Sequence, residues 1–376
     1  MPASVALTAL QRSCLFSPVV LGPLSLRNRV VMAPMTRERA VNGTPTAEMA
    51  DYYGRRARGG VGLVITEGAP PSPSGAFSST VPWFFGPQRA LWRQVVDAVH
   101  AGGARIAAQL WHVGAFNPSL IGMADSAWVE RLGPSGLAAP GRPLGRGMQQ
   151  ADIDATIAAY ADAAGAAQAM GFDAVEIHAA HGYLPDQFMW SGTNLRTDRY
   201  GGGPVERTRF AQDLVRACRW RTGPGFAILF RFSQWKQLDY SARLVDSPQQ
   251  LADLLQPLAD AGVDVFHCST RRYWEPAFAG DGRSLAAWTR SLTGKPVIAV
   301  GSVTMDNDFK SASGKVHARP VPAHVADLER ALVAGEFDLV AIGRALIANP
   351  DWVDKVQAGR ISELRSFSKN MLETLE

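Results

Sequence analysis

The stretch Ala174-Val175-Glu176-Ile177-His178-Ala179-Ala180-His181-Gly182-Tyr183-Leu184 decides how this chain reads. Ala174 to Ile177, bounded upstream by Gly171, reads as a buried strand. Two imidazoles and a phenol then stand where the strand gives way to a loop, the place where α/β barrels keep their chemistry. Adjacent histidines can both donate hydrogen bonds to one oxyanion, and a nearby tyrosine can deliver a proton. The set suits activation of a carbonyl followed by protonation of the neighbouring carbon. A His-x-x-His pair could instead bind zinc, which needs a third protein ligand, and only Asp186 stands near. The pair could also be purely structural.

The surrounding pattern repeats this strand-then-helix unit. Apolar runs at Arg29–Met32, Val61–Ile65, Arg105–Leu110, Ala174–Ile177, Phe226–Phe230, Val263–Cys268, Pro296–Val300 and Leu339–Ile342 predict eight strands. Helical spacing falls between them at 47–58, 88–101, 151–170, 204–219, 247–261, 284–292 and 322–334, with Asp246 or Ser247 as a cap. Eight such units predict a (β/α)8 TIM barrel, with an N-terminal segment ahead of it, as one domain over residues 1–376. A doubly wound sheet is disfavoured because no Gly-x-Gly-x-x-Gly turn follows the first strand. Val113–Met148 is predicted as a long excursion over the barrel mouth after strand three. Ser302–Val321 is a polar insertion with Lys310, Lys315, His317 and Arg319.

Composition narrows the class. The 376 residues are 47% hydrophobic with 36 Gly and 24 Pro, as expected of a loop-rich globular enzyme. Net charge is +4 and pI about 9.1, but the basic residues are scattered apart from Arg55-Arg56-Ala57-Arg58, which argues against nucleic acid as a partner. Cys14, Cys218 and Cys268 lack metal spacing and suit a reducing compartment; no apolar run could span a membrane, and Met1–Leu10 is no secretory signal. A cytoplasmic enzyme, monomeric or homodimeric and free of metal, is expected.

Other strand ends add polar groups. Gly301-Ser302 and Gly343-Arg344 follow strands seven and eight, where barrels hold phosphate. Pro34 and Thr36 end strand one, Gln109 and Trp111 share a face of strand three, and strand five leads into Arg231. Such groups converging would recognise an acceptor-rich heterocycle, and Arg231 could stabilise charge on a reduced flavin. Trp111 is either a stacking wall for substrate or packing.

These residues carry a resemblance to the Old Yellow Enzyme family of flavin-dependent ene-reductases. The matching segments are Val31 to Arg37, Ala108 to Gly114, His178 to Leu184 with Gln187-Phe188, Thr193 to Gly202, Val300-Gly301-Ser302 and Gly343 to Pro350. The resemblance runs from about Phe16 to the C-terminus and implies a barrel holding FMN at its mouth. It implies that Pro34, Thr36, Gly68, Gln109 and Arg231 contact the ring and ribityl chain, and that Gly301, Ser302, Gly343 and Arg344 hold the phosphate. The implied activity is reduction of electron-poor alkenes (enones, enals, maleimides, nitroalkenes) in two halves: NADPH or NADH reduces FMN, then its N5 gives hydride to the alkene β-carbon. His178 and His181 would bind the carbonyl oxygen and Tyr183 would protonate the α-carbon. Trp111, Tyr273 and Trp274 would wall the substrate, with Trp274 packed under its loop as the alternative, and Phe367 could lie over this site or a neighbour's. The chain departs from familiar members in pairing two histidines where many have His and Asn, and in carrying Met35-Thr36 where one subgroup has a cysteine. Alternatives on the same residues are a specialised biosynthetic flavin oxidoreductase or desaturase, a flavoprotein used as a sensor, and a flavin-free barrel lyase or isomerase binding a phosphorylated substrate.

Overall fold

Strands that are apolar on both faces need both faces covered, and closing the sheet removes its edges. A computed structural model, describing residues 12–117, 129–305 and 321–376, shows that outcome. A hairpin, β1 (Val19–Leu21) with β2 (Leu24–Leu26), precedes β3 (Val30–Met32), α1 (Ala47–Arg58), β4 (Leu63–Ile65), α2 (Trp92–Ala101) and β5 (Arg105–Leu110). Short strands β6 (Leu132–Gly133), β7 (Leu137–Ala139), β8 (Arg142–Pro143) and β9 (Arg146–Gly147) follow within the excursion. Then come α3 (Gln150–Ala169), β10 (Ala174–His181), α4 (Leu184–Met189), α5 (Pro204–Arg207), α6 (Arg209–Thr222), β11 (Ala227–Lys236) and α7 (Pro248–Ala261). The chain closes with β12 (Val265–Ser269), α8 (Leu285–Thr293), β13 (Val297–Val300), α9 (Val321–Val333), β14 (Leu339–Ile342), α10 (Arg344–Ala348) and α11 (Trp352–Gln357). β3, β4, β5 and β10 to β14 pair in parallel around a closed eight-stranded barrel.

Two apolar layers hold it. Inside the barrel, Val31, Leu63, Ala107, Ala174, Leu229, Val265, Ile298 and Leu339 pack with Leu21, Leu24 and Leu26 of the hairpin, which plugs the end opposite the mouth. Outside it, residues such as Val64, Val175, Phe230 and Val340 meet helix residues such as Tyr53, Val96, Leu214 and Leu254. Local signals start the helices: Thr46 Oγ1 accepts from Met49 N–H at 3.3 Å, and Ser247 Oγ from Gln250 N–H at 3.2 Å, so Ser247 rather than Asp246 is the cap.

Three expectations shift. β10 runs to His181 and β11 to Lys236, several residues beyond the apolar runs at Ile177 and Phe230. Their ladder continues through His178↔Arg231 and Ala179↔Phe232, because polar residues that face a barrel mouth still pair their backbones. The helix expected over 204–219 is two helices, and the N-terminal hairpin was not foreseen. Parts of the excursion (118–128) and the insertion (306–320, with Lys310, Lys315, His317 and Arg319) lie outside the described residues.

Candidate active site

A cavity of about 490 Å³ opens at the C-terminal ends of the strands. Pro34, Met35 and Thr36 line it after β3, Gln109 and Trp111 at the end of β5, and His178, His181 and Tyr183 at the end of β10. Arg231, Trp235 and Gln237 come from β11 and its end, Ser269 from β12, and Gly301, Ser302, Gly343 and Arg344 from the last two strand ends. Phe367, from the C-terminal segment, also lines it.

The His178-to-Tyr183 turn is aimed by a break in the ladder. The β10–β11 register shifts between Ala179 and His181, and His181 and Gly182 both take positive φ, 68° and 88°. A bulge of this kind re-aims side chains at the cost of backbone strain. Hydrogen bonds hold it. His181 N–H donates to Ser233 Oγ at 2.9 Å, and Gly182 N–H to Asp186 Oδ2 at 2.6 Å. Asp186 in turn pairs with Lys236 Nζ at 2.7 Å, both essentially unexposed. Asp186→Ala leaves Lys236 buried without its counter-charge and is expected to cost about 3–5 kcal/mol in denaturant unfolding; a loss below about 1 kcal/mol would show that the pair does not hold the turn.

Partners also bear on the imidazole protons. Ala180 N–H donates to His178 Nδ1 at 3.3 Å, so the His178 proton sits on Nε2. Arg231 Nη2 donates to Ser269 Oγ at 3.1 Å, and that hydroxyl lies 2.8 Å from His181 Nε2. That hydroxyl can accept twice or give its own hydrogen, so it fits either His181 tautomer; the tautomer with the proton on Nδ1, with Nε2 accepting from Ser269, leaves a donor for the cavity. Burial, helped by Arg231, pushes both histidines well below the usual imidazole range, so both are neutral donors. Burial likewise pushes the Tyr183 phenol above its ordinary value, so it keeps its proton. The rings of His178 and His181 are 5.0 Å apart, and Tyr183 stands 5.0 Å from His178 and 4.9 Å from Trp111.

Buried neutral histidines tie stability to pH. His112, pushed down to about 3 by burial and Arg131, joins His178 and His181 in having a folded pKa below the unfolded value of 6.5. Below about pH 6.5 the unfolded chain therefore binds more protons, and stability falls as pH falls, by up to about 1.4 kcal/mol per pH unit for each histidine. Glu67, pushed up to about 7 by burial, works in the opposite sense over the same range but offsets only about one of these histidines. Unfolding in denaturant at about pH 7, 6 and 5 should therefore still show a net decline; flat stability across this range would contradict the neutral assignment.

The rest of the wall fits a flat, acceptor-rich ring carrying a phosphate. Arg231 Nε and Trp111 Nε1 are buried without a hydrogen-bond partner. Gly301 has φ of 142°, and a Cβ there would lie 2.5 Å from Thr270 O; at Gly343 it would press on Met35 Sδ at 3.3 Å. At Gly301 the positive φ and the Thr270 backbone admit only glycine, and both glycines bare their backbone to the cavity. An orphaned guanidinium N–H, the Gln109 amide and these glycines are what FMN requires.

Three expected contacts lie elsewhere. Gly68 does not reach the cavity: a Cβ there would lie 2.5 Å from the Trp111 ring, so this glycine seats the tryptophan. Tyr273 and Trp274 line a different cavity with His324, Asp327 and Arg330, because the chain turns outward after Arg271 and Tyr273 packs on Phe337. Trp274 is 42% exposed rather than packed beneath the loop. Trp235, Gln237 and Ser269 line the site but were not read from the sequence; the polar run following Phe230 was the signal for the first two, and the polar residue directly after Cys268 for the third. Among the described residues no group of three His, Cys, Asp or Glu could hold a metal ion, and no helix is long and apolar enough to cross a membrane.

Comparison with known proteins agrees with this geometry. The profile of the NADH:flavin oxidoreductase / NADH oxidase family matches residues 14–363. The chain is 36% identical to chanoclavine-I aldehyde reductase fgaOx3 of Penicillium roqueforti (strain FM164), over 92% of this chain and 89% of that protein. It resembles the solved structure of morphinone reductase in complex with tetrahydroNAD (TM-score 0.78, 30% identity, 95% and 93% of the two chains covered). It also resembles that of the Old Yellow Enzyme homologue from Zymomonas mobilis (TM-score 0.75, 28% identity, 95% and 96% covered). With FMN as cofactor and NAD(P)H as reductant, this chain belongs to the NADH:flavin oxidoreductase / NADH oxidase family and, within it, to the Old Yellow Enzyme ene-reductases.

Proposed function

We propose that this enzyme, acting as a single FMN-binding unit, reduces the C=C bond of α,β-unsaturated carbonyl compounds. The observation that carries this reading is the convergence, in one cavity, of two neutral imidazoles 5.0 Å apart and a phenol that holds its proton. His178 and His181 each present one N–H to the carbonyl oxygen, and their donation strengthens as that oxygen gains charge. Being neutral, they stabilise the oxyanion without giving it a proton. Tyr183, held edge-on by Trp111 and by Phe116 at 5.2 Å, is the acid that serves the α-carbon. Its raised pKa keeps the proton in place until a strongly basic carbon develops beside it. FMN, when bound, supplies the electron pair taken from NAD(P)H. Thr36, Gln109 and Arg231 would hold its ring; Gly301, Ser302, Gly343 and Arg344 would hold its phosphate. Trp111 and Phe367 wall the space left for substrate.

The test is a product analysis. With NADPH or NADH, cyclohexenone should return as cyclohexanone, one product per reductant consumed, and cyclohexanone itself should not turn over. Recovery of an alcohol, with the double bond intact, would sink the proposal.

A further inference from the structure

Glu176 has no part in the chemistry above, yet it is fully buried behind the cavity wall. Gln109 Nε2 donates to its Oε1 at 2.8 Å, and His267 Nδ1 to its Oε2 at 2.6 Å; Glu176 and His267 are both 0% exposed. A carboxylate only accepts, so the Gln109 atom facing it is the NH2 group, and the Gln109 carbonyl oxygen is turned away from it. His267 Nδ1 carries its proton for the same reason, while Nε2 is buried with no partner. Burial works to raise the Glu176 carboxyl, but the hydrogen bonds from His267 and Gln109 and the charge of Arg231 outweigh it, and the group sits below its usual value. Burial holds His267 below its usual value, so it is neutral. The pair thus carries one net negative charge. The β11–β12 register sets Arg231 beside His267, so that charge lies close to the one cation among the polar groups that β10 to β12 turn into the cavity.

We propose that Glu176, held by His267, is a positioning residue of the flavin site with two separable roles. It fixes the Gln109 amide so that its carbonyl oxygen and remaining N–H face the ring of FMN. Its charge offsets that of Arg231 and so limits how strongly the site prefers reduced over oxidised FMN. The inference rests on the FMN reading of the cavity, which the wild-type holoenzyme tests in the same experiment: a wild-type protein without flavin would fail that reading, not this one.

Two variants separate the roles. Glu176→Gln keeps the shape and an acceptor for Gln109 but removes the charge. Glu176→Asp keeps the charge but withdraws it from Gln109. The readouts are the midpoint potential of the holoenzyme against free FMN, and the FMN dissociation constant from fluorescence recovered on dilution. E176Q should favour reduced over oxidised FMN about tenfold more than wild type, a rise of about 30 mV for a two-electron couple, with little change in affinity for oxidised FMN. E176D should bind oxidised FMN about tenfold more weakly with the wild-type preference kept. A residue that only supports packing would lower affinity for both states alike and leave the potential unmoved. An unmoved or lowered potential in E176Q, or unchanged affinity in E176D, overturns the proposal, as does failure of both variants to fold with FMN in excess.

Discussion

Tyr183→Phe is expected to slow alkene reduction by about 10²–10⁴-fold while the NADPH half-reaction stays near its wild-type rate. The substitution removes one oxygen from a ring packed on three sides by His178, Trp111 and Phe116, so the ring and the cavity keep their shape. Only the proton is lost, and the proton is needed only once the alkene has accepted its electron pair. Stopped-flow measurement of each half-reaction separates the two. Equal slowing of both would show that Tyr183 shapes the cavity rather than supplying the proton.

Loss of both oxyanion donors should cost comparably. His178→Ala combined with His181→Ala is expected to lower the alkene half-reaction by at least about 10²-fold, the usual cost of one such donor, and to weaken phenols that mimic the enolate oxygen. The backbone makes a control available. His181 sits at φ 68°, a region that Asn tolerates at least as well as His. His181→Asn keeps an N–H donor on an unchanged turn and should retain most of the phenol affinity that the double variant loses. Phenol charge-transfer absorbance that survives the double substitution would remove both histidines from the oxyanion role.

Much of this was legible in the order of the residues, because barrel strands declare themselves as short apolar runs and the mouth as the polar residues that follow. The boundaries of β10 and β11 were not. Reading polar residues as loop ended those strands at Ile177 and Phe230, which hid Ser233, Trp235 and Gln237. Glu176 was passed over inside an apolar run, although a lone carboxylate in a buried strand needs partners; Gln109 and His267 supply them. Tyr273 and Trp274 follow a strand end as the true site residues do, and only the outward turn after Arg271 separates them from the cavity. Gly68 shows the reverse: the resemblance implied a flavin contact for it, while its role in seating Trp111 depends on a packing contact that no spacing reveals.

Flavin held in this one cavity should serve both the reductant and the alkene. The most direct measurement is an anaerobic absorbance titration of the purified protein with NADPH, followed by cyclohexenone. The flavin spectrum should bleach with NADPH and return on addition of the enone. A protein without flavin absorbance, or a flavin that bleaches and does not return with the enone, would contradict it.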